Sequence, residues 1–275
     1  MLLPRLLTAV VGIPLVLGLV HLGSLPFLLF VAALAALAAR EYATMLWASG
    51  RGVQTWTTAA GAAVLALAVG LSGPALPRAQ APGVGLSSFA LSALFVFVML
   101  RELLRREHSL DRAGLTLLGI LMVGWPFGHL VLLRELPPHG EAWTFLLFAG
   151  VWATDTAAYA AGAAMGRHRL APILSPKKSW EGAVAGFAAC TLVVWGLSRW
   201  TPDMMPAWGA VLLGAMTGIV AQFSDAAQSL VKRACGAKDS SALLPGHGGI
   251  FDRMDSFLLL APLFYYFVVL LGKNS

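Results

Sequence analysis

The sequence predicts an all-α integral membrane protein with about nine transmembrane helices, its N-terminus in the cytoplasm and its C-terminus outside. Of the 275 residues, 58% are hydrophobic and 12% are charged, whereas a soluble domain has about 45–50% and about 25%. So few charges cannot cover a surface in water, and exposed apolar patches would drive a soluble form to associate. Lipid is therefore the solvent expected for most of the chain.

Nine apolar stretches approach the ~20 residues that a helix needs to cross the core of a bilayer. They cover approximately residues 6–22, 24–39, 56–73, 84–100, 113–133, 142–163, 182–198, 206–227 and 256–271. Pro14 and Pro126 fall inside two of them, which membrane helices tolerate because neighbouring helices re-satisfy the freed backbone groups. No small-residue cleavage site follows the first stretch, so we expect an uncleaved span there.

The distribution of Lys and Arg predicts the orientation, because basic residues concentrate in cytoplasmic loops. When the loops are numbered after each span, the N-terminus and the even-numbered loops hold 15 of the 19 basic residues, and the other side holds 4. This asymmetry places the N-terminus in the cytoplasm. The net charge of +6 therefore reports topology, and without a basic stripe with interleaved aromatic residues it gives no reason to expect nucleic-acid binding.

Two loops are longer than the other connections, and both are expected in the cytoplasm. They cover residues 162–181 and 228–255. We therefore divide the chain into an N-terminal part of about four spans, residues 1–112, and a C-terminal part, residues 113–275, that carries both long loops. No internal repeat is evident, which disfavours the many transporter folds built from two related halves.

Acidic residues at membrane depth are the first candidates for function, because each is costly there without a partner or a task. Asp155 lies about eight residues before the cytoplasmic end of its span, which places it ~12 Å deep. Asp225 lies near the same end of the eighth span. For both, the alternative is a satisfied interhelical hydrogen bond. Glu41 ends the second span beside Arg40, where an interfacial ion pair is expected.

The residues around Asp225 have a spacing that suits a phosphate and its metal. If the helix continues, Asp225, Ser229 and Lys232 occupy positions i, i+4 and i+7 and share one face. Further along, Asp252 and Asp255 are at i and i+3, so at a helix start both carboxylates can point the same way.

Glycines follow His247 and precede it, and they permit backbone conformations with positive φ and close approach of a ligand to the main chain. The role of His247 stays open between base, ligand and turn residue, with the turn slightly favoured. Carboxylates among basic residues are typical of a site for Mg²⁺ and a polyphosphate. Zinc is not expected, because no cysteine or second histidine lies at ligand spacing from His247.

The first long loop supplies a second basic element. Lys177 and Lys178 precede Ser179, which is placed to cap the seventh span, and the two ammonium groups could receive anionic oxygens near that helix N-terminus. A pair of lysines before a span is also common as a simple topology anchor. The nucleotide motifs GxxxxGK[ST] and GxGxxG are both absent from the sequence.

These residues resemble the motifs of a known family. The run from Ser229 to Asp255, 27 positions that include PGHGG and DRMD, resembles the signature of phosphatidate cytidylyltransferases, also called CDP-diacylglycerol synthases. The stretch from Asp155 to Gly182 resembles that family's second block, with Ser179 where many members have Thr. The resemblance covers roughly the last 130 residues, and the N-terminal half matches only as hydrophobic spans.

The resemblance implies a multi-pass enzyme of the cell inner (plasma) membrane, with its active site facing the cytoplasm, that makes CDP-diacylglycerol and pyrophosphate from CTP and phosphatidic acid. It implies that Asp225, Asp252 and Asp255 hold Mg²⁺, that a second, monovalent cation (K⁺) lies nearby, that Lys232 acts with them in catalysis, and that the enzyme is a homodimer. The residues expected to bind substrate are Asp155, Lys177, Lys178, Ser229, Arg233, Lys238, Asp239, His247, Gly248, Gly249 and Arg253.

Other classes of membrane protein would use some of the same residues. A lipid kinase that uses CTP would also need carboxylates and basic loops, but it would transfer the γ-phosphate. An ion-coupled transporter would use Asp155 and Asp225 as intramembrane ion sites, and it would not need the glycine-flanked His247 loop. A CDP-alcohol phosphotransferase would need a DGxxAR pattern, and the sequence has no Asp-Gly pair.

Overall fold

In the computed structural model the described residues are mostly helical, and they include one small two-stranded sheet. The structure describes residues 2–73, 85–243 and 248–272. Its elements, in chain order, are α1 (Leu2–Leu22), α2 (Ser24–Ala48), α3 (Thr55–Gly70), α4 (Leu86–Leu103), α5 (Leu110–Gly119), a π-helical turn (Ile120–Gly124), α6 (Trp125–Arg134), α7 (Gly140–Met165), β1 (Arg169–Ala171), β2 (Ser175–Ser179), α8 (Trp180–Ser198), a 3₁₀ turn (Pro202–Met204), α9 (Ala207–Ala234), α10 (Ile250–Arg253) and α11 (Phe257–Gly272).

Five helical segments of the described chain are long and apolar enough to cross a membrane. They are Ser24–Ala48, Leu86–Leu103, Leu110–Arg134, Trp180–Ser198 and Ala207–Ala234. Three shorter apolar helices cover Val10–Leu22, Thr55–Gly70 and Phe257–Leu270. These helices confirm the all-α membrane class, whereas the number of crossings and the orientation of the termini stay predictions.

The chain forms two compact units that do not follow the chain order. One contains Met1–Glu141 with Ala234–Met254, and the other contains Ala142–Arg233 with Asp255–Ser275. The sequence analysis divided the chain by its spans and long loops, not by contacts. That division into residues 1–112 and 113–275 stays a prediction.

The first unit has a core built on small residues. Ala35, Ala38 and Ala39 of α2 are completely buried, and small side chains let membrane helices approach closely. At Gly124, in the π-helical turn, an added Cβ would lie only 2.7 Å from the carbonyl oxygen of Ala62. The predicted span 113–133 is therefore not one regular helix, because the π-helical turn interrupts it at the position where it packs against α3.

In the second unit, glycines on α8 bring neighbouring helices into backbone contact. A Cβ at Gly186 would lie 2.8 Å from the carbonyl oxygen of Thr154 on α7, and one at Gly182 would lie 2.6 Å from that of Ala158. On another face of α7, the ring of Phe148 lies 5.0 Å from that of Phe257 at the start of α11. Small residues and aromatic contacts thus hold α7, α8 and α11 together.

Several element boundaries differ from the sequence prediction. α2 continues to Ala48 rather than ending near residue 39, and α9 continues to Ala234 rather than ending near residue 227. Loop 162–181 contains the antiparallel β1–β2 hairpin, and loop 228–255 begins inside α9. Hydropathy detects the apolar part of a helix only, so polar residues that extend a helix are assigned to the adjoining loop.

Candidate functional site

Asp225 is the centre of a polar cluster in the second unit. Because α9 continues to Ala234, the predicted shared face of Asp225, Ser229 and Lys232 is present on one helix. The Ser229 hydroxyl donates to Asp225 Oδ1 at 3.4 Å. Lys178, which lies on β2, places its Nζ 2.5 Å from Asp225 Oδ2. Carboxylate, hydroxyl and ammonium groups from two elements therefore meet here.

The β1–β2 hairpin positions Lys178 for this contact. The predicted cap at Ser179 is confirmed, because the amide of Gly182 donates to Ser179 Oγ at 3.2 Å and fixes the start of α8. Arg233 Nε donates to the carbonyl oxygen of Leu174 at 3.2 Å, which joins the end of α9 to the hairpin. Lys177, the neighbour of Lys178, is exposed.

Asp255 is held next to the same part of α9 by Ser224, which the sequence analysis missed. The Ser224 hydroxyl donates to the carbonyl oxygen of Asp255 and accepts from the amide of Leu259 at 3.0 Å. The Asp255 side chain accepts from the amide of Ser256 at 2.8 Å. The sequence signal for Ser224 is its hydroxyl group directly before the carboxylate of Asp225, near the end of a mostly apolar span.

The expectation that Asp252 and Asp255 share a helix start is wrong. α10 ends at Arg253, and Met254 leaves the helical conformation with φ −107° and ψ 11°. A local bond from the Ser256 amide to the Asp255 side chain and the Ser224 contact compete with a continuing helix here. The helical spacing i, i+3 therefore does not apply to this pair.

Asp252 organises part of the first unit, residues 240–243 and 248–252, which we call the signature loop. Its Oδ2 accepts from the amide of Ser240 at 2.7 Å, from the Ser240 hydroxyl at 2.9 Å and from the amide of Gly249 at 3.0 Å. Gly248 has φ +78°. The positive φ expected among the glycines next to His247 is therefore present. An added Cβ at Gly248 would also lie 2.7 Å from Asp252 Oδ2.

Glu41 joins the same loop, and its expected ion pair with Arg40 is wrong. It accepts from the hydroxyls of Ser240 and Ser241 at 3.0 and 2.7 Å, and from the amides of Ile250 and Phe251 at 3.1 and 2.8 Å. Arg40 instead lies over the ring of Trp56, 5.3 Å from its centroid. Consecutive helical residues do not face each other, so sequence adjacency was a poor guide.

Most of the remaining residues that the sequence predicts to bind substrate are exposed. Lys238 and Asp239 are exposed in the connection between α9 and α10, Arg253 is exposed at the end of α10, and Asp155 is exposed on α7. His247 lies outside the described residues.

The donor chemistry suits Mg²⁺, which prefers carboxylate oxygens. In the described part of the chain, no group of three or more His, Cys, Asp or Glu side chains is arranged to hold a metal ion. Mg²⁺ is commonly held by one or two carboxylates together with the phosphates of a substrate, rather than by a cage made of protein alone. Asp225 lies on α9, and Asp255 is held by the neighbouring Ser224. These two carboxylates suit Mg²⁺ that is shared between the protein and a substrate phosphate.

The fold and the two clusters, one in each unit, define a helical membrane protein that carries carboxylates and basic groups on its long loops. The sequence pattern of the cytidylyltransferase family matches residues 3–271. The chain therefore belongs to the cytidylyltransferase family. The match extends well beyond the last 130 residues, so the N-terminal half is related to the family by more than its hydrophobic spans.

Individual relatives support the same assignment. The chain is 36% identical over 295 residues to a phosphatidate cytidylyltransferase of Synechocystis sp., covering 97% of this chain and 96% of that protein. It is 33% identical over 264 residues to the protein of the same name from Staphylococcus haemolyticus, covering 94% and 96% of the two chains. The corresponding protein of Brucella suis is 45% identical over 150 residues, which is 54% of this chain and 55% of that one.

Proposed function

We propose that the chain is a phosphatidate cytidylyltransferase, which transfers the cytidylyl group of CTP to phosphatidic acid and gives CDP-diacylglycerol and pyrophosphate. The observation that carries the proposal is the similarity to the Synechocystis relative along 97% of the chain. The cluster of Asp225, Ser229 and Lys178 supports it, because an ammonium and a hydroxyl group can bind anionic phosphates and a carboxylate can hold their metal ion.

The proposed reaction needs no nucleophile from the protein. A phosphate oxygen of the lipid attacks the α-phosphorus of CTP, the bond from that phosphorus to the β-bridging oxygen breaks, and pyrophosphate leaves with the electron pair. The chain's task is to position two anionic substrates and to neutralise their charge. We assign charge neutralisation to Lys178 and Lys232, with Lys177, Arg233 and Lys238 as further phosphate contacts.

We propose that Asp225 and Asp255 hold Mg²⁺, with Asp252 as a third ligand and K⁺ as a second cation nearby. The support for Asp252 and for K⁺ is the sequence signature alone. When bound, Mg²⁺ would neutralise the phosphate oxygens and make the α-phosphorus more electrophilic. Ser229, which contacts Asp225, would keep that carboxylate oriented.

We place the enzyme in the inner (plasma) membrane with nine crossings and its site facing the cytoplasm. The 15 to 4 distribution of basic residues supports this orientation. Exposed tryptophans near the predicted membrane surfaces support the positions of the span ends, because Trp is enriched at both surfaces. They are Trp47, Trp56 and Trp180 at the proposed cytoplasmic surface and Trp200 and Trp208 at the outer one.

The topology can be tested by labelling single cysteines in intact cells with a membrane-impermeant maleimide. Variants would carry Asp203→Cys or Arg106→Cys in a background with Cys190→Ala and Cys235→Ser. We expect labelling at position 203 only, and labelling at position 106 only would invert the proposed topology.

Chemical crosslinking of the purified protein, followed by mass measurement, tests the proposed homodimer.

Transfer of radiolabel tests the activity itself. Purified protein in lipid nanodiscs would receive Mg²⁺, phosphatidic acid and CTP labelled at either the α- or the γ-phosphorus. We expect α-label in the lipid fraction and γ-label in water-soluble pyrophosphate. Entry of γ-label into the lipid would indicate a CTP-dependent lipid kinase, and entry of neither label would leave an ion-coupled transporter as the alternative.

A further inference from the structure

Among the described residues, the side chain of Glu41 accepts its hydrogen bonds from the signature loop, about 200 positions away in sequence. Each carboxylate oxygen accepts one serine hydroxyl and one backbone amide: Oε1 from Ser241 and Ile250, and Oε2 from Ser240 and Phe251. The two serines and the two amides lie on opposite sides of residues 244–247 in the sequence. One side chain of α2 therefore joins the segment that ends at residue 243 to the segment that begins at residue 248.

Ser240 connects Glu41 to Asp252. Its hydroxyl lies 3.0 Å from Glu41 Oε2 and 2.9 Å from Asp252 Oδ2. A hydroxyl has one hydrogen and donates to one of these carboxylates at a time, so the two carboxylates share it. The position of Asp252 is thereby coupled to that of Glu41.

The contacts are buried and tightly packed. Glu41 is 8% exposed and Asp252 is 4% exposed. A Cβ at Gly249 would overlap both Glu41 Oε2 and Ser240 Oγ, so only glycine leaves room for the carboxylate at this place. A buried carboxylate is costly unless hydrogen bonds compensate for its lost hydration, and here every compensating group belongs to the signature loop.

We propose that Glu41 is a positioning residue of the transferase, which holds residues 240–243 and 248–252 in the conformation that places Asp252, Gly248 and Gly249 for the reaction. This inference rests on the proposed function. It assigns to the N-terminal helices a role in the reaction, because Glu41 acts through Ser240 and through the amides that begin α10.

The substitution Glu41→Gln tests the proposal with little change of volume. Each carboxylate oxygen accepts a backbone amide of α10, so in either orientation the new NH₂ group faces an N–H donor and one bond becomes a donor–donor contact. Arg40→Gln is the matched control, since Arg40 is adjacent on α2 but lies over Trp56. Ser240→Ala, alone and combined with Glu41→Gln, tests the coupling.

Two measurements would be made on full-length protein in nanodiscs. Hydrogen–deuterium exchange would report protection of the peptide that covers residues 248–252, and steady-state kinetics would report kcat and KM. For Glu41→Gln we expect about tenfold faster exchange in this peptide and a kcat lower by roughly 10- to 100-fold, with KM for phosphatidic acid changed by less than about threefold. Arg40→Gln should match wild type in both measurements, and the effects of Glu41→Gln and Ser240→Ala on kcat should be less than additive.

Three results would overturn the proposal. Unchanged exchange in Glu41→Gln would show that the contacts do not hold the loop, and faster exchange with normal kcat would make Glu41 purely structural. An equal loss of kcat in Arg40→Gln would restore the ion pair as the explanation. Failure of the proposed function would be seen in a different experiment. In that case the wild-type protein would transfer no label to lipid, whatever the exchange data show for Glu41→Gln.

Discussion

Replacing Asp225 by Asn is the most direct test of the cluster on α9. The substitution keeps the size of the side chain and one acceptor oxygen for Ser229, but it removes the negative charge that faces Lys178 at 2.5 Å. Both partners of this ion pair are about a quarter to a third exposed, so its loss should cost at most about 1 kcal/mol of folding stability. The protein should therefore still fold.

The expected loss of activity is much larger than that loss of stability. If Asp225 holds Mg²⁺ in the transition state, we expect turnover at least ~10²-fold lower, which corresponds to about 3 kcal/mol of lost transition-state stabilisation. Initial rates of transfer of α-labelled CTP into lipid, measured over a range of Mg²⁺ concentrations, would give both turnover and the metal requirement.

Two further variants separate the possible causes. Lys178→Met removes the same ion pair from the other side, and Asp203→Asn makes the same change in an exposed residue on the opposite predicted side of the membrane. Lys178→Met also removes a proposed phosphate contact, so the Mg²⁺ requirement separates the two variants. Asp225→Asn should raise the Mg²⁺ concentration needed for half-maximal turnover, whereas Lys178→Met should lower turnover without raising it. A turnover of Asp225→Asn within about threefold of wild type would refute the metal assignment.

Three other predictions concern packing, helix capping and substrate binding. Gly186→Ala should lower the unfolding midpoint, because its Cβ would lie 2.8 Å from a carbonyl oxygen, whereas Gly196→Ala, with nothing within 4 Å, should not. Ser224→Ala should cost about 1–2 kcal/mol of stability, because it removes two part-buried hydrogen bonds, a loss that chemical unfolding measures against Ser88→Ala. Lys177→Met should raise KM for CTP about 3- to 30-fold, and an unchanged KM would assign Lys177 to topology alone.

The fold class and the helical stretches could be predicted because a long apolar segment is a local property of sequence. The end of α2 could not, since the helix continues past its apolar part to Ala48. The contact between Asp225 and Ser229 and the cap at Ser179 were equally local, with partners three or four residues apart.

The other site contacts depend on residues far apart in sequence. Glu41 bonds to groups about 200 positions away, and no periodicity within α2 distinguishes it from an interfacial acid. The break between Asp252 and Asp255 involves Ser224, on another helix. Spacing predicts which side chains share a helix face only if the helix continues, and tertiary contacts determine that.

The Ser224 hydroxyl, which bonds to the carbonyl of Asp255 and to the amide of Leu259, also limits how α11 can move. Sliding α11 along its axis by one residue, about 1.5 Å, would break both bonds at once. Small displacements of α11 should therefore move the adjoining turn of α9 as well. Asp255 and Asp225 should accordingly move together when a substrate binds.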